Sequence, residues 1–201
     1  MPRNRLALPL SAALTLTALA TLTGCSGADP APAPSPSDAP ASSTTAGKPA
    51  PKTTAQPPAH VSIPSLGVDS DVMRLGLNPD RTVEVPPADK GMTTGWYTGS
   101  AVPGEPGAAV LIGHNDTRFG RAVFHDLRKI AKGADIVVRD SGGKDIHFEV
   151  TARETVSKNA FPTARVYGRT TDRALRLITC DGAFDANGHP VDNLIVYAKR
   201  T

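Results

Sequence analysis

The chain has 201 residues and a formal net charge of +3 at pH 7, from 22 Lys and Arg against 19 Asp and Glu. From residue 60 onward the balance is 18 basic against 17 acidic residues, so most of the surplus lies near the N-terminus. Phosphate recognition needs a clustered basic surplus, so this composition argues against a nucleic-acid partner. The chain after residue 60 is long enough to enclose one hydrophobic core.

The first 25 residues have the pattern of an export signal. Two arginines precede an apolar run over residues 6–22, which is short for a membrane-spanning helix. The run ends in Leu-Thr-Gly-Cys at 22–25, which resembles a bacterial lipobox, where the cysteine becomes the lipidated first residue of the mature protein. We therefore expect residues 1–25 to be a lipoprotein-type signal peptide and Cys25 to be lipidated. A disulfide between Cys25 and Cys180 is the alternative if Cys25 is not processed in this way.

Residues 26–59 are rich in Pro, Ala, Ser and Thr and contain no aromatic residue. Such a segment buries too little apolar surface to offset the entropy of ordering it. We expect a disordered tether with a reach between roughly 30 Å as a coil and ~100 Å as a stiff polyproline chain. That reach would hold a folded domain away from a membrane.

Residues 60–201 are expected to form one mainly β domain. Short runs rich in Val, Ile and Leu, separated by Gly, Pro, Asn and Asp, predict strands over residues 60–63, 70–77, 82–85, 108–114, 134–139, 147–157, 175–180 and 193–199. Eight short strands with few helical stretches favour a closed or nearly closed barrel. The clearest helix is predicted over residues 122–132, where apolar residues recur at helical spacing before Gly133.

Cys180 ends the predicted strand 175–180, in which alternation places Arg176, Ile178 and Cys180 on one face. Gly182 and a polar run follow, so we expect the thiol where a sheet ends and a loop begins. Reactive groups are common at such positions. The alternative is that Cys180 is a small buried hydrophobe, as most free cysteines are.

His114 occupies a similar position after an apolar strand and Gly113. A thiol and an imidazole at two strand ends predict a nucleophile with its acid or base. The histidines at 125, 147 and 189 are interpreted as surface or packing residues. His114 and Asp116 form only a fragment of a metal site, so no metal and no cofactor are expected.

Five sequence blocks occur in the order seen in sortases. They are Gly-His-Asn-Asp at 113–116, Val-Phe-His-Asp-Leu at 123–127, Lys-Gly-Ala-Asp-Ile-Val-Val at 132–138, Leu-Ile-Thr-Cys at 177–180 and Asp-Asn-Leu-Ile-Val-Tyr-Ala at 192–198. The chain most resembles the actinobacterial branch called class F, over nearly all of residues 60–201. The His and Thr-Cys blocks are the specific part of this resemblance.

The resemblance implies a closed eight-stranded sortase-type β-barrel with one or two short helices. It also implies a cysteine transpeptidase that acts on Leu-Pro-x-Thr-Gly-like sorting signals of secreted proteins. Cys180 would attack the threonine carbonyl to form a thioacyl enzyme, and His114 would protonate the leaving amine. The acceptor amine would come from a peptidoglycan precursor or a pilin lysine. We expect a monomer at the outer face of the cell membrane, anchored by lipid, with its catalytic domain in the cell wall space.

The resemblance further implies an arginine on the last strand, just before the Asn-hydrophobic run, where this chain has Val191. Three explanations stay open. Arg118, four residues past His114, reaches the site as a substitute oxyanion donor; backbone amides near Asp181 and Gly182 suffice; or the enzyme is weakened or specialised.

A peptide with leucine and proline needs an apolar, rigid slot. A substrate groove is predicted from Trp96, Tyr97, Thr179 and Val191, together with residues 102–107 and 160–162. The alternative for Trp96 and Phe161 is that they plug the barrel. Two other functions remain open: a turnover-deficient, sortase-like peptide-binding module, and an unrelated cysteine peptidase in which water is the acceptor.

Overall fold

The computed structural model describes residues 55–186, 188 and 190–201. The predicted signal peptide, Cys25, most of the predicted tether and His189 lie outside these residues. Within them, no helix combines the length and apolar character that crossing a membrane requires. Regular structure begins at Pro58, two residues before the predicted start of the domain at residue 60.

The described residues form ten β-strands, one short α-helix and four single 3₁₀ turns. The strands are β1 Pro58–Ile63, β2 Val68–Leu75, β3 Thr94–Tyr97, β4 Gly107–Ile112, β5 Asp116–Thr117, β6 Gly120–Arg121, β7 Asp135–Asp140, β8 Asp145–Ser157, β9 Arg173–Phe184 and β10 Pro190–Arg200. The helix α1 is Thr163–Tyr167, and the 3₁₀ turns are Pro64–Leu66, Ala88–Lys90, Leu127–Lys129 and Lys158–Ala160.

Eight of the strands close into a barrel in the order β1-β2-β3-β4-β9-β10-β8-β7, and β1 pairs with β7 to complete the ring. The pairs β2–β3 and β4–β9 are parallel, and the other pairs are antiparallel. Strands β5 and β6 form a separate small hairpin. The prediction of a mainly β, closed eight-stranded barrel is therefore confirmed.

The barrel wall separates two apolar clusters. Alternate residues of β9, Leu175 and Leu177, belong to the larger cluster that fills the barrel. Ile178 points the other way and belongs to a second cluster, with Ile112 of β4 and Val166 of α1. Because successive side chains of a strand point to opposite faces, α1 covers the outer face of the wall.

Two sequence-based predictions of local structure are wrong. Residues 82–85 do not form a barrel strand, since only a single bridge joins Val83 to Leu77; the missing barrel strand is β3. Residues 122–132 do not form an α-helix but a series of turns with one 3₁₀ turn. Val123, Leu127 and Ile130 are nevertheless all buried in the main core. Their spacing therefore correctly indicated buried residues, although the segment is not helical.

Candidate active site

Cys180 lies half-buried on the outer face of the barrel wall, on the same side of β9 as Ile178. Contrary to the prediction, β9 does not end there but continues to Phe184. Instead, the neighbouring parallel strand β4 ends here, since it pairs with β9 only as far as Ile112 and Ile178. On its other side, Cys180 pairs with Asn193 of β10. The thiol is therefore held on a continuous strand next to an opening in the sheet.

His114 follows this opening, two residues past the end of β4. Gly113 between them is closely packed, since a Cβ there would lie 2.6 Å from Cδ2 of Phe124 and 2.7 Å from Cγ1 of Val123. Its amide donates to the carbonyl of Ile178 at 3.1 Å, and the amide of Phe124 donates to the carbonyl of His114 at 2.9 Å. These contacts fix the backbone of His114 beside the strand that carries Cys180.

The imidazole of His114 is oriented by one hydrogen bond. Its Nε2 lies 2.6 Å from the carbonyl oxygen of Pro86, a buried residue. A carbonyl oxygen only accepts, so Nε2 carries the hydrogen. In the neutral ring, Nδ1 is then the nitrogen that can take up a proton.

Cys180 and His114 line the same cleft, which has a volume of about 710 Å³. Much of its surface is apolar, with Ile112 and Ile178 of the barrel wall among the lining residues. Asn193 contributes an amide beside the thiol. The cleft can therefore hold an extended apolar peptide next to a nucleophile and a proton carrier.

Three aromatic rings form part of the lining. Tyr97 and Tyr167 pack edge to face with ring centroids 5.9 Å apart, and Phe161 lies 6.0 Å from Tyr167. Burial raises the pKa of Tyr167, and the neighbouring Tyr97 acts in the same direction, so its hydroxyl stays neutral around pH 7. This cluster provides an aromatic part of the cleft between β3 and α1.

A further part of the lining comes from the loop between β2 and β3. Leu77, Arg81 and Val85 belong to it and line the cleft, and Leu77 and Val85 are 48% and 57% exposed. Exposed large apolar side chains at the edge of a cleft are typical of a binding surface. The sequence did not indicate that this loop lines the site, because the loop folds back on itself through Gly76 and Leu77, just after β2.

The predicted site residues have different locations. Thr179 lines the cleft but is buried, and its Oγ1 has no hydrogen-bond partner within the described part of the chain. Trp96 is only 4% exposed, belongs to the barrel core and donates from Nε1 to the carbonyl of Ala101, so the structure does not bring it to the cleft.

Arg118 and Val191, like Trp96, do not line the cleft. Arg118 lies between β5 and β6, where its guanidinium stacks over the exposed ring of Phe119 with Cζ 4.8 Å from the centroid. Val191 is 39% exposed on β10. Among the described residues, two cationic ones do line the cleft, Arg81 and Lys158, and the sequence did not predict either of them as a site residue.

Comparison with known proteins adds to this geometry. A family model described as Sortase domain matches residues 61–201. Similar solved structures include sortase A from Corynebacterium diphtheriae, at 21% identity and a TM-score of 0.56, covering 73% of this chain and 61% of that chain. Sortase C-1 from Actinomyces oris is 21% identical with a TM-score of 0.57, covering 71% of this chain and 72% of that one.

A Group B Streptococcus Pilus Island 1 sortase C2 also matches, at 24% identity and a TM-score of 0.53, covering 71% of this chain and 72% of that one. Similarity at these identities establishes the fold. No curated protein sequence matches the chain significantly.

Proposed function

This chain belongs to the sortase family, and we propose that it is a cysteine transpeptidase that cleaves a Leu-Pro-x-Thr-Gly-like sorting signal and transfers the acyl fragment to an amine. The observation that carries the proposal is that Cys180 and His114 line one largely apolar cleft on the outer face of the barrel. A thiolate is both a good nucleophile and a good leaving group, which suits a reaction that passes an acyl group from one amine to another.

In the first half of the reaction, the thiol proton of Cys180 passes to Nδ1 of His114, and the sulfur attacks the carbonyl carbon of the substrate threonine. The C–N bond to glycine then breaks, and the imidazolium donates its proton to the departing amine. Cys180 is left as a thioester of the threonine carbonyl. No oxidant, reductant or cofactor is needed for this balance.

In the second half, an acceptor amine attacks the thioester carbonyl and its proton passes to His114. The C–S bond breaks, and the sulfur recovers a proton from the imidazolium. The hydrogen bond from Nε2 to the carbonyl of Pro86 supports both halves, since it keeps the ring orientation fixed.

The substrate would bind in the cleft through its apolar residues. Leucine and proline of the sorting signal would cover Leu77 and Val85 and pack against the rings of Tyr97 and Phe161. Burial of that apolar surface is the main expected source of affinity.

We further propose that the protein is a class F sortase that acts as a monomer at the outer face of the membrane. Residues 1–25 would be removed as a lipoprotein-type signal, the lipid on Cys25 would anchor the chain, and residues 26–59 would tether the domain within the cell wall space. The acceptor amine would come from a peptidoglycan precursor or a pilin lysine. Labelling with an alkyne fatty acid tests the anchor: label should be lost in Cys25→Ser, and equal label in Cys25→Ser would contradict it.

The transpeptidase proposal is tested by trapping the acyl enzyme. The purified protein is incubated with a library of Leu-Pro-x-Thr-Gly-like peptides, and mass spectrometry should detect a thioacyl adduct on Cys180 and, with an added amine, an amide product. Cys180→Ala should keep the circular-dichroism spectrum and form neither. Saturable peptide binding without an adduct or product would instead support a turnover-deficient binding module, and dominant hydrolysis despite added amine would support a cysteine peptidase.

A further inference from the structure

Acyl transfer at Cys180 creates negative charge on the substrate carbonyl oxygen, and a site that performs it needs a hydrogen-bond donor for that oxygen. Two cationic residues are among the described residues that line the cleft, Arg81 and Lys158. We propose that Arg81 is a catalytic residue whose guanidinium hydrogen-bonds the scissile carbonyl oxygen of the bound peptide as the oxygen becomes negative. This inference rests on the proposed transpeptidase function.

The backbone of Arg81 is strained. Its φ of 69° is the only positive value found for a described residue other than glycine. The left-handed region costs an L-residue with a Cβ roughly 1–2 kcal/mol, and glycine avoids that cost. Strain of this kind is concentrated at functional sites, so an arginine here suggests that its side chain is needed.

Local hydrogen bonds hold this conformation in place. The amide of Arg81 donates to the carbonyl of Asn78 at 2.8 Å, and the amide of Asn78 donates to the carbonyl of Thr82 at 2.8 Å. The amide and hydroxyl of Thr82 donate to Oδ1 of Asp80 at 3.0 and 2.7 Å. The turn that presents Arg81 is therefore closed by its own backbone and by its neighbours.

Further hydrogen bonds close this loop at its base, directly after β2. Oε2 of Glu84 accepts from the amide of Gly76 at 2.6 Å, and the amide of Glu84 donates to the carbonyl of Gly76 at 3.1 Å. Next to these hydrogen bonds, Leu77 and Val83 form an antiparallel β-bridge. Arg81 is thus carried on a closed loop that follows β2 and forms part of the cleft.

The guanidinium is available to a ligand. Asp80, its nearest carboxylate in sequence, has its pKa lowered by the hydrogen bonds from Thr82, so it is ionised and already engaged. Arg81 makes no ion pair with any carboxylate of the residues that the structure describes. An exposed, unpaired guanidinium with several donors suits the carbonyl oxygens of an extended peptide.

Lys158 is the matched control for this role. It lines the same cleft with the same charge, but it lies in the 3₁₀ turn Lys158–Ala160 and its backbone is not in the left-handed region. Its single ammonium lacks the planar fork of a guanidinium. Removal of charge from the cleft can therefore be separated from removal of the Arg81 donor.

The test compares Arg81→Gly, Arg81→Lys and Lys158→Met in the rate of thioacyl formation with a sorting peptide. Arg81→Gly relieves the strain, so its melting temperature should equal or exceed that of the wild type, while kcat/KM falls about 100-fold, as for loss of one oxyanion donor. Arg81→Lys should recover part of that loss. Lys158→Met removes a charge from the same cleft and should lower kcat/KM by less than Arg81→Gly does; an equal loss in the two variants would overturn the inference.

Alkylation of Cys180 by iodoacetamide, which has no peptide to orient, should be equally fast in the wild type and Arg81→Gly. A parallel loss of alkylation would mean that Arg81 acts on the thiol, and it would overturn the inference. An active wild type with Arg81→Gly within about threefold of it would also overturn the inference. Absence of any thioacyl adduct in the wild type would instead reject the proposed function on which the inference rests.

Discussion

Asp181, the residue after the cysteine, is buried and forms an ion pair with the exposed side chain of Arg128. Its Oδ2 also accepts from Oγ1 of Thr155 at 2.8 Å. Burial alone would raise the pKa of this carboxyl, but hydrogen bonds from Thr155, the Gly182 amide and Arg128 outweigh that effect and hold the pKa below its ordinary value of 3.8. The ion pair thus links β9, directly after Cys180, to the 3₁₀ turn Leu127–Lys129 that precedes β7.

Asp181→Asn should lower the free energy of unfolding at pH 7 by about 1–3 kcal/mol, because a buried, hydrogen-bonded carboxylate is lost. The folded-state pKa is depressed, so the stabilisation is full above the unfolded value of 3.8 and is lost as pH falls through the folded pKa. Urea denaturation should therefore give a constant difference from wild type above about pH 5 and a smaller one at about pH 3.

The control for this prediction is Asp126→Asn. Asp126 is paired with Lys129 at 2.9 Å, and the hydrogen bond from Lys129 lowers its pKa, but its side chain is 38% exposed, against 7% for Asp181. Screening should make its loss much less costly than that of Asp181. Equal destabilisation by the two variants, or a gap between wild type and Asp181→Asn that widens at low pH, would contradict the assignment.

His114→Ala should slow thioacyl formation strongly while the barrel stays folded, because its imidazole is the proton carrier of the proposed reaction. Removing a general acid or base typically costs about 10²- to 10⁴-fold in rate. His147→Ala is the matched control, since His147 lies on β8 beside Asp135 and does not line the cleft. Rates are measured by mass spectrometry of the acyl enzyme. Comparable rates in both variants would remove His114 from the mechanism.

The strands could be predicted from the sequence where apolar residues alternate over a long run. They could not be predicted where contacts with the rest of the fold determine the local structure. Residues 82–85 alternate like a strand, yet Pro86 and Pro87 follow them and Glu84 is used to bind Gly76. The true strand β3 contains Gly95, which weakens a strand pattern. That glycine is required by packing, because a Cβ would lie 2.2 Å from Cδ1 of Leu75.

At the site, Cys180 and His114 could be located because each lies at the end of a strong strand pattern. Gly182 and Gly113, close to them in sequence, indicate where each pattern stops. The pairing of β4 with β9 then brings them to one opening. Arg81 could not be found in this way, since its position at the cleft depends on a loop that folds back on itself just after β2. Arg118 is close to His114 in sequence, but the hairpin of β5 and β6 carries it to the surface.

Gly113→Ala should destabilise the barrel by about 1–3 kcal/mol, the usual cost of overpacking a core. The added methyl would meet the ring of Phe124 and Cγ1 of Val123, and both residues are buried. Gly142→Ala is the control, because its nearest contact is a side-chain oxygen of Asp140 at 3.2 Å in an exposed turn. Thermal unfolding measures both. A melting temperature for Gly113→Ala equal to that of the wild type would show that the core accommodates the methyl.

Phe161→Ala should weaken binding of the sorting peptide more than it slows the chemical step. Phe161 lines the cleft next to Tyr167 and carries no group that can transfer a proton, so its loss should raise KM several-fold and leave kcat within about threefold. Phe119→Ala is the control, since this ring is 65% exposed, stacks under Arg118 and does not line the cleft. A steady-state assay with peptide and amine separates the two constants. A rise in KM for Phe119→Ala without one for Phe161→Ala would place the peptide on the β5–β6 hairpin instead of in the cleft.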